Sequence, residues 1–262
     1  MKRGMLRGTL VLCLSLCMVV VSYAQGVYWE ATTTGSMESD EALVSQFYYM
    51  PKKLKVVDIG DDIVVILRLD KELVIVMNTK EKTYWEMTFA EMEEMVKGAG
   101  MQMDAAMREM QKQMAGLSKE QQEMMKKMMG SRQTVETAKV DVLRSGESKT
   151  ISGYDCTKYV LTRGGDEVGV VWATLDVKEF EVMRRDMEEF GKRMEAMGAK
   201  ESKGVEEAIY GIKGFPIQTE MANGEKTVVS KVESRSTPAS EFEAKPEFEK
   251  EESPMRRGFH EK

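Results

Sequence analysis

The sequence predicts an α+β fold in which one antiparallel sheet of about eleven or twelve strands carries methionine-rich helices. Three observations lead there. Short β-branched and aromatic segments follow one another with loops too brief for a parallel crossover, which needs a dozen or more residues. The hydrophobic period changes from two to about 3.6 at Thr88, and again near Asp176. No Pro/Gly/Ser-rich linker divides the chain, so the elements belong to one domain over 25–244.

The first half reads as a meander. Segments Val27–Thr34, Leu43–Met50, Leu54–Ile59, Ile63–Leu69, Leu73–Asn78 and Thr83–Met87 are strands. Gly60-Asp61-Asp62, Asp70-Lys71 and Asn78-Thr79-Lys80-Glu81 are the turns between them. At Thr88 a capping-box pair, Thr88 with Glu91, opens a helix. Its apolar stripe runs Met92, Met95, Ala99, Met103, Met107, Met110, Met114, Leu117. Ser118 with Gln121 opens a second helix, which Gly130 ends. Together they form a Met-rich helical insertion over 88–130.

Strands resume at 134–144, 148–151, 154–162 and 168–175, with Ser145-Gly146 and Gly164-Gly165 read as turns. Asp176 and Glu179 introduce a third helix, on which Phe180, Met183, Met187, Phe190, Met194 and Met197 alternate three and four apart. Asn223-Gly224, the strongest short hairpin signal, joins strands 215–222 and 225–233. The charged stretch 245–262, with Pro246 and Pro254, reads as a disordered tail.

Residues 1–24 read as a cleavable signal peptide. Lys2, Arg3 and Arg7 precede an apolar run from Leu10 to Val21, and Ser22-Tyr23-Ala24 supplies the small-x-small order before Gln25. The run is too short for a spanning helix, which needs about 20 residues. Cys17 follows Leu16 rather than a small residue, which argues against a lipoprotein signal. The expected compartment is the periplasm or the exterior. Cleavage leaves 35 basic against 44 acidic residues, a net −9, and one cysteine, Cys156, which has no partner for an internal disulfide. A net-negative chain without a basic block argues against nucleic acid or an anionic membrane surface as the main partner, since both need local positive charge. No later apolar run is long enough to span a bilayer.

Methionine is concentrated in the helices: 12 of the 43 residues from Met87 to Met129. Methionine is unbranched and polarizable, so it suits both helix faces packed on a sheet and a deformable surface around a ligand of variable shape. A third reading is Cu(I), a soft ion suited to thioether sulfur, with Met103, Met107 and Met110 as candidate ligands. Catalysis finds no footing. The single histidine is His260, and GxSxG, HExxH, GxxxxGK[ST] and strand-GxGxxG-helix motifs are all missing. The reading is therefore of a non-enzymatic protein without a cofactor. Cys156 alternates with Tyr154, Lys158 and Val160 in a strand and reads as structural.

QFYYMPKKLKVVD (46–58), an aliphatic hairpin and NTKEKTYWEM (78–87), with its Lys82-Thr83-Tyr84, resemble the opening of the bacterial exported family called domain of unknown function 4412. SGYDCTKYVLT (152–162), VVWAT (170–174), GFPIQTE (214–220) and SEFEAKPEF (240–248) resemble its second half in the same order. The resemblance implies a fold similar to lipoprotein carriers of the LolA and LppX kind: a curved, unclosed, LolA-like half-barrel with Met-rich helices over its concave face. Those relatives hold acyl chains between sheet and helices. By that likeness the expected function is a periplasmic binding or carrier protein for a lipid acyl chain or other apolar ligand. Its cavity wall would include Trp29, Phe47, Trp85, Met103, Met107, Met110, Trp172, Phe180, Met183 and Met187. The alternative is a structural or interaction protein of the envelope, with other envelope proteins as partners and a filled core.

Overall fold

Six strands in the first half of the chain turn back on one another in sequence order: β1 (Gly26–Thr34), β2 (Leu43–Met50), β3 (Lys53–Ile59), β4 (Ile63–Arg68), β5 (Leu73–Asn78) and β6 (Thr83–Thr88). In this computed structural model the described residues are 26–35, 41–98, 139–196, 204–254 and 256. The predicted signal peptide, most of the Met-rich insertion and Met103, Met107 and Met110 lie outside them. Four connections of the meander end on a left-handed residue, Lys52, Asp62, Glu72 or Lys82, immediately before the next strand. That repeated geometry lets short loops follow the natural twist of the hairpins. Gly26 opens β1 where a methyl group would strike the Tyr49 carbonyl and the Met50 sulfur, so no larger residue fits there.

The second half contributes β7 (Val140–Ile151), β8 (Tyr154–Arg163), β9 (Asp166–Thr174), β10 (Phe215–Met221) and β11 (Lys226–Arg235). β11 pairs antiparallel with β1, which joins the halves into one sheet. With β12 (Glu249–Lys250) the order is β12-β6-β5-β4-β3-β2-β1-β11-β10-β9-β8-β7. Every pairing is antiparallel except that of β12 with β6. The two ends of this order, β12 and β7, do not meet, so the sheet is unclosed. It is also curved. β8 and β11 stand three places apart, about 14 Å in a flat sheet, yet the Tyr154 hydroxyl donates to the Val232 carbonyl at 3.2 Å. Bulges between Pro216 and Gln218 and between Glu30 and Ala31 supply part of the bend.

Three helices are described: α1 over 89–98, α2 (Phe180–Ala196) and α3 (Val205–Tyr210). The capping box at α1 is reciprocal, with the Thr88 N–H donating to Glu91 at 2.8 Å and the Glu91 N–H to the Thr88 hydroxyl at 3.2 Å. No helix among the described residues is long and apolar enough to cross a membrane. One core joins α2 to the sheet through Phe180, Met183, Met187, Tyr49, Leu67, Phe215 and Ile217. A second packs α3 on β8 and β9 through Ala208, Leu161, Val171 and Ala173.

Two expectations need correction. Ser145-Gly146 is not a hairpin turn: β7 runs unbroken from Val140 to Ile151, and these residues form a bulge against β8 between Arg144 and Ser148. Nor is the chain beyond Ala244 a disordered tail over residues 245–253. A short 3-10 turn, Ala239–Phe242, puts the Phe242 ring, fully buried, among Val64, Ile66, Ile75 and Met77 on the second face of the meander. Lys82 and Tyr84 then accept backbone bonds from Glu249 and Glu251. Charge obscured this segment, since β12 is two exposed charged residues, held by main-chain bonds and by the Lys250–Glu86 ion pair.

Arg68 fastens the same segment. It is 4% exposed, donates from Nη1 to the Phe242 carbonyl at 3.0 Å, and grips Asp70 through Nε and Nη2 at 2.8 and 2.9 Å. Glu243 completes its shell. The Arg68 guanidinium holds the Asp70 carboxyl below its ordinary value. A depressed carboxyl stabilises the fold above its unfolded pKa of about 3.9, and that stability is lost as pH falls through the folded value. Asp70→Asn is therefore expected to lower stability at pH 7, with the difference from the parent vanishing towards pH 2. Urea unfolding across that range checks it; a gap that stays constant with pH would contradict the assignment.

Candidate functional site

α2 lies across the sheet with one face inward. Phe180, Met183 and Met187 recur at three and four on that face and are buried. Asp186 falls on the same stripe, 5% exposed, so its carboxylate needs partners inside the fold. It accepts from the Tyr49 hydroxyl at 2.7 Å and from the Lys52 N–H at 2.6 Å, with the Lys52 ammonium at 3.3 Å. The left-handed backbone of Lys52 belongs to the β2–β3 turn, so a turn and a strand hold the helix at one carboxylate. Burial and the Asp186 contact push the Tyr49 hydroxyl far up, so it stays a protonated donor. Arg193 reaches Glu72, and Ser234 reaches Glu179 at 2.7 Å, near the two ends of α2.

Between α2, α3 and the sheet there is a cleft of about 270 Å³. Its wall is aromatic and aliphatic. Trp29 and Phe47, opposite one another on β1 and β2, stack at 4.6 Å between centroids and 1° between planes. Phe215 meets Trp29 edge to face at 5.6 Å and Phe180 at 5.6 Å. Ala31, Leu54, Ile217 and Val229 line the sheet side, Met183 and Met187 the α2 side, and Ile209 and Tyr210 the α3 side. Glu206, Gln218, Thr219 and Thr227 add polar atoms. Burial and the nearby Glu206 carboxylate raise the Tyr210 hydroxyl, which keeps its proton.

Five of the sequence-predicted wall residues meet in this cleft: Trp29, Phe47, Phe180, Met183 and Met187. Two do not. Trp85 stands on β6 opposite Val76, away from it. Trp172 is buried elsewhere on β9, with the Lys149 ammonium 4.0 Å from its ring centre and Lys158 at 5.9 Å. β9 is covered on both sides, Trp172 in one core and Val171 and Ala173 in the other, so an aromatic on it need not face the cleft. Met103, Met107 and Met110 lie outside the described residues. Sequence reasoning missed α3, whose six residues are too few for a periodic signal, and with it Glu206, Ile209 and Tyr210. Asp186 could have been found: it is a carboxylate in an otherwise apolar i, i+3, i+4 stripe. Cys156 is 1% exposed and its thiol is pushed up by burial, which leaves little thiolate.

A comparison with curated proteins gives no match. Among solved structures the chain is similar to an uncharacterized conserved protein from Thermus thermophilus, at 7% identity over 87% of this chain and 90% of that one, with a TM-score of 0.44. It is similar to PNGF-II at 10% identity over 91% of this chain and 33% of that one, TM-score 0.38. MucB in the Pseudomonas aeruginosa MucA/MucB complex is similar at 7% identity over 87% and 58%, TM-score 0.40. Likenesses this distant say nothing about activity. The sequence itself is more specific: residues 90–248, over half of the chain, match Domain of unknown function (DUF4412), and the chain belongs to that family.

Proposed function

We propose that this chain is a non-enzymatic binding or carrier protein of the bacterial envelope that holds an apolar ligand, such as a lipid acyl chain, between sheet and helices. The observation that carries the reading is the cleft of about 270 Å³ whose wall is formed by Trp29, Phe47, Phe180, Met183, Met187 and Phe215. Ligand sites are mostly apolar concavities with a few polar atoms that fix orientation, and two unbranched thioethers let this wall adjust to chains of different shape. The order of residues 1–25 supports an exported protein, where an apolar cargo would need shelter from water.

The size of the cleft also favours a second reading. Small-molecule sites usually begin at about 300 Å³, and an interaction protein with a nearly filled core would show a residual space of this order. The two separate cleanly. Purification from the native envelope followed by lipid extraction and mass spectrometry is expected to find a stoichiometric apolar molecule. Thr219 is half-buried at the cleft on β10, and Phe suits a strand. Thr219→Phe is therefore expected to keep the fold and weaken binding of an apolar fluorescent probe about tenfold, near 1.4 kcal/mol. Clean apo protein that ignores the probe would leave the interaction reading standing instead.

A further inference from the structure

The cleft has a charge character as well as an apolar wall. Among its described lining residues Glu206 is the one acidic side chain, and no Lys, Arg or His lines it. Glu206 is exposed on α3, at the mouth of the cleft. A carboxylate at the rim adds attraction for a cation and repulsion for an anion.

Resting on the carrier reading above, we propose that the cleft selects amphiphiles with an ammonium head: an alkyl tail lies along the aromatic and methionine wall, and the positive group sits at the mouth against Glu206. Fatty-acid-like anions are disfavoured, since nothing described in the cleft neutralises a carboxylate. The net charge, −6 for the whole chain and −9 without residues 1–24, acts in the same direction.

Titration calorimetry at pH 7 with decyltrimethylammonium, decanol and decanoate, all below their micelle concentrations, tests this on the intact protein. The ammonium compound is expected to bind about tenfold more tightly than decanoate at low salt, because Glu206 attracts the one head and repels the other. The gap should shrink to less than about threefold in Glu206→Gln and in 0.5 M salt, where screening reaches within about 4 Å. Glu206 is exposed, so that variant keeps its fold. Equal binding of all three compounds, tighter binding of decanoate, or a gap untouched by Glu206→Gln would overturn the ammonium preference while leaving an apolar cleft. Failure of all three to bind would overturn the carrier reading itself.

Discussion

Phe242→Ala is expected to destabilise the protein by about 3–5 kcal/mol, the usual range for emptying a fully buried phenylalanine site. The ring is fully buried among Val64, Ile66, Ile75 and Met77, all carried by strands whose side chains cannot collapse into the gap without breaking the ladder. The loss reaches further than the cavity. The Phe242 carbonyl is one of three anchors of the buried Arg68 guanidinium, and a loosened turn would leave that donor short of a partner. Equilibrium unfolding in urea measures the effect. Phe248→Ala, at a half-buried ring of the same cluster, should cost clearly less. A loss below about 1 kcal/mol in Phe242→Ala would show that the segment does not cover the meander.

The second large effect concerns the helix that roofs the cleft. Asp186→Ala should cost about 3–4 kcal/mol, because it strips acceptors from the buried Tyr49 hydroxyl and the Lys52 N–H together. Tyr49→Phe, which removes one donor and leaves the carboxylate its other bond, is expected to cost about 1 kcal/mol. The exposed Lys52–Glu189 pair near the same point should matter by less than about 1 kcal/mol, since solvent screens it. A double-mutant cycle between positions 49 and 186 isolates their coupling. Additive losses would mean that the Tyr49 hydroxyl contributes nothing to holding α2 through Asp186.

How far the sequence foretold this molecule depends on what each element is made of. β2 and β5 were bounded correctly from their alternation and turns, because one face of each is buried and the pattern of two is therefore written in the side chains. The capping box at Thr88 was legible for a similar reason: both partners are local. β7 was cut in two because a Ser-Gly pair serves equally in a turn and in a bulge, and only the pairing with β8 decides. β12 carries no apolar signal at all. In the cleft, the residues of α2 were found from periodicity, whereas Trp85 and Trp172 were misplaced because strand faces cannot be told apart without register. Asp186 went unnoticed although its oddity was local, and its meaning depended on a turn 134 residues away in the chain.

The segment around Phe242 also bears on the order in which the protein can be made. The meander it covers is complete by Thr88, yet the ring that seals Ile66, Ile75 and Met77 comes from more than 150 residues further along. At synthesis rates of about 5–20 residues per second, that face waits for seconds with aliphatic side chains bare. Contacts of such long sequence separation also form slowly once the chain is free. A nascent chain of this kind has a built-in interval in which the Val64, Ile66, Ile75 and Met77 side chains of β4 and β5 lack the ring that covers them.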